Sequence, residues 1–125
     1  MPDQRTWDEI WELNQRVTDQ GQPFVLTDDL RQLLRVTASD VAIAPAEVEQ
    51  ALASDASAAA LLKEVAKRIR VGSRRLSQAM SDVDQRKEAG DMDGARQVMQ
   101  DLLEIEVVPH YRDIAQTYLD ALDDP

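Results

Sequence analysis

Residues 56–89 constrain the fold more than any other stretch. Apolar or small residues recur there at Leu62, Val65, Ile69, Gly72, Leu76, Ala79 and Val83. Spacings that alternate between three and four put them on one stripe of a helix, as in a helix packed along a long seam. At about 1.5 Å per residue such a helix spans about 50 Å, more than a compact domain of this size needs. Gly90-Asp91-Met92-Asp93-Gly94 breaks the pattern, in a corner like that inside a tetratricopeptide-type helix pair, though no such repeat follows. A second apolar series then begins with Ala95, Val98, Met99, Leu102 and Ile105. The expectation is an all-α fold in a single helical domain, residues 1–125. Its scaffold is a long antiparallel helical hairpin, 56–89 against 92–122, with the smaller helices of residues 1–55 packed on it. Pro109 lies inside the second arm, where its missing N–H and its ring should kink or restart the helix. From there the apolar register changes to Tyr111, Ile114, Ala115, Tyr118, Leu119 and Leu122.

The N-terminal part reads as short helices. Trp7, Ile10, Trp11, Asn14 and Val17 share one face of a helix over residues 5–20, which Gly21 ends. The two tryptophans one turn apart are either a core anchor or an exposed pair that a partner would grip. Thr27 is an N-cap ahead of Asp28 and Asp29, for a helix that reaches about Ala38. Pro45 suits the first turn of a helix over about 45–53, and Ser54-Asp55 caps the long one. Two short apolar runs, Phe24–Leu26 and Val41–Ile43, offer themselves as a minimal two-stranded pair. Leu33 to Leu52 has the outline of a helix-turn-helix. Its second helix, however, exposes Ala46, Glu47, Glu49 and Gln50, and acids there would face phosphates uncompensated.

Charge is distributed in blocks. The formal net charge is −10, with −7 in residues 1–60 (4 basic, 11 acidic), +4 in 61–89 (8 basic, 4 acidic) and −7 in 90–125 (2 basic, 9 acidic). That balance argues against non-specific attraction to nucleic acid or an anionic membrane. There is no cysteine, so disulfides and thiolate zinc sites are excluded. The polar start and the lack of any long apolar run predict neither a leader peptide nor a membrane span, which leaves the cytoplasm as the expected compartment.

In the basic block, Lys63, Lys67, Arg70 and Arg74 form a stripe opposite the seam, and Arg68 and Arg75 flank the seam. In a hairpin turning at Gly90, Arg75 comes to lie near Ile105, so Glu104 and Glu106 would pair with Arg74 and Arg75 across the seam. The outward stripe is harder to satisfy internally: its charges are either solvated or paired within the fold, or they form the candidate docking face for an acidic protein, with Trp7 and Trp11 as a second candidate contact.

Catalytic signatures are missing. The glycines at 21, 72, 90 and 94 are scattered rather than gathered into a phosphate-binding loop, and no serine lies in a nucleophile-elbow context. The single histidine, His110, has Glu106 and Asp113 at helical spacing. Helical carboxylate–histidine metal sites need further inward ligands and a Glu-x-x-His pair that this chain lacks. The sequence therefore predicts no catalytic, cofactor-binding or metal-ligating residue.

Several stretches in order carry a resemblance. They are Trp7 to Val17, Gly21 to Leu26 leading into Thr27, Leu33-Leu34, Val41-Ala42-Ile43 and Ala60-Leu61-Leu62. Ile69-Arg70, Gly72-Ser73-Arg74-Arg75-Leu76, Ala89-Gly90-Asp91, Ala95-Arg96 and Val107-Val108-Pro109-His110-Tyr111 follow. Over about residues 5–122 the chain resembles the DUSAM-domain family of short bacterial proteins. The resemblance supplies no activity and no catalytic residues, and it implies a cytoplasmic bacterial protein that works through partners. The expected function is a non-catalytic protein–protein interaction module, regulatory or adaptor in kind. A nucleic-acid-associated regulator using the same basic stripe is the alternative, and self-association into a homodimer is a further one.

Overall fold

A computed structural model describes residues 2–123. Among them there are six α-helices and no strand: α1 (Gln4–Asn14), α2 (Asp28–Asp40), α3 (Pro45–Ala51), α4 (Asp55–Glu88), α5 (Met92–Ile105) and α6 (Pro109–Asp123). A π-helical turn, Gln15–Asp19, prolongs α1. The long helix is continuous, so the seam periodicity was a sound guide. Leu62, Val65, Gly72, Leu76, Ala79 and Val83 are all buried, with Ile69 half-buried. Each fully buried leucine or valine on that stripe contributes about 1.5–3 kcal/mol relative to exposure.

The chain forms two compact units that divide within α4, after Ile69. In the first unit, α2 packs against both α1 and α3. Trp7 and Ile10 are buried, and the Trp7 indole N–H donates to Asp40 Oδ2 at 3.1 Å. Asp3 caps α1 by accepting from the Arg5 amide, and Thr27 caps α2 by accepting from the Leu30 amide at 3.2 Å. The stretch 21–27 has no regular secondary structure and forms no strand pair; the Leu26 amide donates to Asp55 Oδ1 at 3.0 Å. Its proposed partner, Val41–Ile43, is the turn that closes the C-terminus of α2.

That helix end has an unusual residue. The Ile43 amide bonds the Ala38 carbonyl at 3.0 Å and the Ala42 amide bonds Ser39 at 3.1 Å. This is the Schellman pattern, whose left-handed position favours glycine. Here that position is Ala42, at φ 66°, and it is exposed. The end of α4 uses the same bonds, Asp91 to Arg86 at 2.8 Å and Gly90 to Lys87 at 3.0 Å, with Gly90 at φ 78°. An alanine held left-handed is strained by about 1–2 kcal/mol, part of which glycine's larger unfolded-state entropy offsets. Ala42→Gly is therefore expected to raise stability by about 0.5–1 kcal/mol, and Gly90→Ala to lower it by a similar amount. Chemical denaturation of the two variants checks this, and equal signs would contradict it.

The second unit departs from the expected hairpin. Residues 92–122 do not form one arm. The chain breaks at residues 106–108, and α6 packs back on α5. Arg96 Nε meets Asp123 Oδ1 at 2.7 Å, which ties the start of α5 to the end of α6 in antiparallel order. Pro109 is the physical cause, because it begins a new helix at its first position rather than kinking an old one. Ala95, Met99 and Leu102 of α5 and Tyr111, Ala115 and Leu122 of α6 are buried, together with Val108 between them. Ile105, assigned to the apolar face of α5, is 57% exposed, because it is the last residue before the break.

Asp91 caps α5 by accepting from the Gly94 amide at 2.9 Å and also meets Arg86 Nη1 at 3.1 Å. The amide and then the guanidinium hold its carboxyl below the ordinary aspartate range. A carboxylate favoured by folding stabilises above its unfolded range, and that contribution is lost as pH falls through the lowered native value. Asp91→Asn is expected to flatten the acid limb of thermal stability below about pH 4. An unchanged acid limb, measured by melting against pH, would contradict it.

Candidate functional site

The positions singled out in the sequence separate by what the fold does with them. Several arginines are used inside the fold to satisfy helix C-termini, which leave carbonyls without intrahelical partners. Arg31 Nη1 donates to the Leu52 carbonyl at 3.0 Å, at the end of α3. Arg68 Nη1 donates to the Val41 carbonyl at 2.9 Å, at the end of α2, while its Nε meets Glu64 at 3.0 Å. Arg112 Nη1 donates to the carbonyls of Leu103 and Glu106, at the end of α5. Arg35 is bidentate to Glu49, which raises the guanidinium's pKa and lowers the carboxyl's. Arg86 and Arg96 each hold two carboxylates.

Lys63, Lys67, Arg70, Arg74 and Arg75 are different. Among the described residues none of them comes within 4.0 Å of a carboxylate. The first four are exposed and Arg75 is half-buried. All five lie on α4, where the i, i+4, i+7, i+11 spacing of the first four sets them in one row on a single helix. The expected cross-seam pairs of Arg74 and Arg75 with Glu104 and Glu106 do not form. Glu104 is exposed, and Glu106 is turned inward and is 3% exposed.

Glu106 is the residue whose role the sequence concealed. Its Oε2 accepts from the Val107 amide at 3.0 Å and the Val108 amide at 3.1 Å, which satisfies the two N–H groups just before α6. Its Oε1 is buried without a hydrogen-bond partner. It lies 2.9 Å from where a β-carbon on Gly72 would stand, and the Tyr111 ring lies at 2.5–2.7 Å from the same point. The mid-helix glycine thus lets the α5–α6 corner close onto α4. Burial raises the Tyr111 phenol's pKa, with a hydrogen bond from Ser73 acting against the shift and the Glu106 charge adding to it. The available signal was Pro109 itself, since a helix restarting there needs an acceptor for the amides before it.

The aromatic pair also divides. Trp7 belongs to the core, and Trp11 is 41% exposed. Trp7 is thus removed from the candidate contact and Trp11 stays. Around His110, Glu106 is committed to the amides of the corner and Asp113 is exposed. No three His, Cys, Asp or Glu side chains among the described residues are grouped to hold a metal ion. No helix among them is long and apolar enough to cross a membrane.

Comparison with protein families places the chain. A family model described as "Protein of unknown function (DUF2379)" matches residues 5–122. The chain belongs to the DUF2379 family. The match runs from the second residue of α1 to the next-to-last residue of α6, so it covers both units. No curated protein and no solved structure gave a match. Membership in DUF2379 therefore fixes kinship, and function has to be argued from the surface.

Proposed function

We propose that the chain is a non-catalytic protein–protein interaction module, regulatory or adaptor in kind, in a bacterial cytoplasm. Its docking face is the row Lys63, Lys67, Arg70 and Arg74, with Arg75 at the edge, and its partner is acidic. One observation carries the reading. The arginines at 31, 35, 68, 86, 96 and 112 each have a partner within the chain, while among the described residues these five cations on α4 have no carboxylate within 4.0 Å. Desolvating unpaired cations against complementary carboxylates favours specific encounter and suppresses wrong partners. The DUSAM resemblance and the family match cover the same residues, which supports reading them as one family of bacterial proteins.

A nucleic-acid-associated regulator would use the same row. The chain's formal net charge of −10 opposes that reading, because it repels a polyphosphate at long range. Reversing Lys67 and Arg70 to glutamate is expected to weaken capture of the partner by at least about tenfold while far-UV circular dichroism stays unchanged. Full capture by the folded variant would overturn the proposal.

A further inference from the structure

The chain carries on α1 an exposed surface complementary to its own basic row. Asp8, Glu9 and Glu12 are exposed there, and among the described residues Glu9 and Glu12 make no ion pair. Asp8 accepts only from Gln4 Nε2, at 3.0 Å. Trp11, 41% exposed, sits one turn from Asp8 and beside Glu12. The α1 surface is thus a short acidic ridge with a large exposed aromatic at its edge. Elsewhere Asp82, Asp91, Asp93 and Asp123 are held by arginines, and Asp101 and Asp120, like Asp8, accept from a glutamine one turn away; what sets α1 apart is the exposed indole beside its carboxylates.

We infer that the basic row of α4 binds the α1 ridge of a second copy of this chain. The inference rests on the docking face proposed above and names its occupant. Carboxylates at 8 and 12 repeat at i, i+4, the same interval that separates Lys63 from Lys67 and Arg70 from Arg74, so two rows of opposite sign can lie side by side. An indole next to those carboxylates offers its face to a guanidinium of the partner row, as a cation–π contact. Exposed tryptophan beside charge is the composition of an interface anchor. Because the two surfaces differ, the contact is heterologous unless two copies exchange it reciprocally.

Sedimentation velocity of the intact chain, from micromolar to millimolar and from about 50 mM to about 500 mM salt, tests this. The expected result is reversible self-association at low salt that fades at high salt. Lys67→Glu with Arg70→Glu in one protein, and Asp8→Lys with Glu12→Lys in another, should each weaken it at least tenfold. An equimolar mixture of the two folded variants should regain it, since each supplies the surface the other has lost. A wild-type chain that stays monomeric at low salt overturns the inference. So does association that ignores either pair of substitutions, or a mixture that fails to regain it. Should the chain be monomeric while the α4 reversal still abolishes capture of another acidic protein, the docking face stands and its occupant is a different molecule.

Discussion

Glu106→Ala is expected to lower the unfolding free energy by about 3 kcal/mol, although the side chain makes no ion pair. The alanine leaves the part-buried Val107 amide and the buried Val108 amide without their acceptor, and an orphaned buried donor costs about 1–3 kcal/mol, a part-buried one less. Glutamine keeps an acceptor for both amides and removes a buried charge whose second oxygen has no partner. Glu106→Gln should therefore stay within about 1 kcal/mol of wild type. Urea unfolding of the two variants separates the readings. Equal losses would mean that the charge, rather than the pair of accepted hydrogen bonds, is what the fold uses.

Gly72→Ala is the second large effect. In an exposed helix this change would gain about 1 kcal/mol. Here the new methyl meets the Tyr111 ring and Glu106 Oε1, both buried, and overpacking of that kind costs about 1–3 kcal/mol. The expected net loss is about 1–2 kcal/mol, with larger residues worse. A double-mutant cycle isolates the ring's share. In a Tyr111→Ala background only Glu106 Oε1 still crowds the methyl, so the cost of Gly72→Ala should fall by about 1 kcal/mol or more. The same penalty in both backgrounds would show that the glycine serves something other than this close approach.

These two effects show where sequence reasoning reached and where it stopped. Periodicity located the long helix and the buried stripe on it, because burial imposes a period that residue order records directly, and Pro109 marked either a kink or a restart. It did not locate the fold-back of α6 on α5. A proline restart is compatible with continuing along α4 or with reversing, and the reversal depends on contacts such as Arg96 with Asp123. It also misassigned Glu106. A carboxylate that a hairpin would set across the seam from Arg74 and Arg75 reads as an ion-pair partner, and only the three-dimensional closure at Gly72 turns it inward. For the basic row the sequence supplied position and spacing. What it lacked was the internal work of Arg31, Arg68 and Arg112 on helix ends, which distinguishes cations the fold uses from those it leaves free.

The docking face on α4 is most directly tested by capture from native lysate on the immobilised chain, with nuclease-treated and untreated halves read by mass spectrometry. The wild-type chain and the Lys67→Glu, Arg70→Glu double variant serve as paired baits. The account predicts the same acidic protein, or the chain itself, in both halves of the wild-type capture and its loss from the variant. Recovery that vanishes with nuclease, or that the charge reversal leaves untouched, would contradict it.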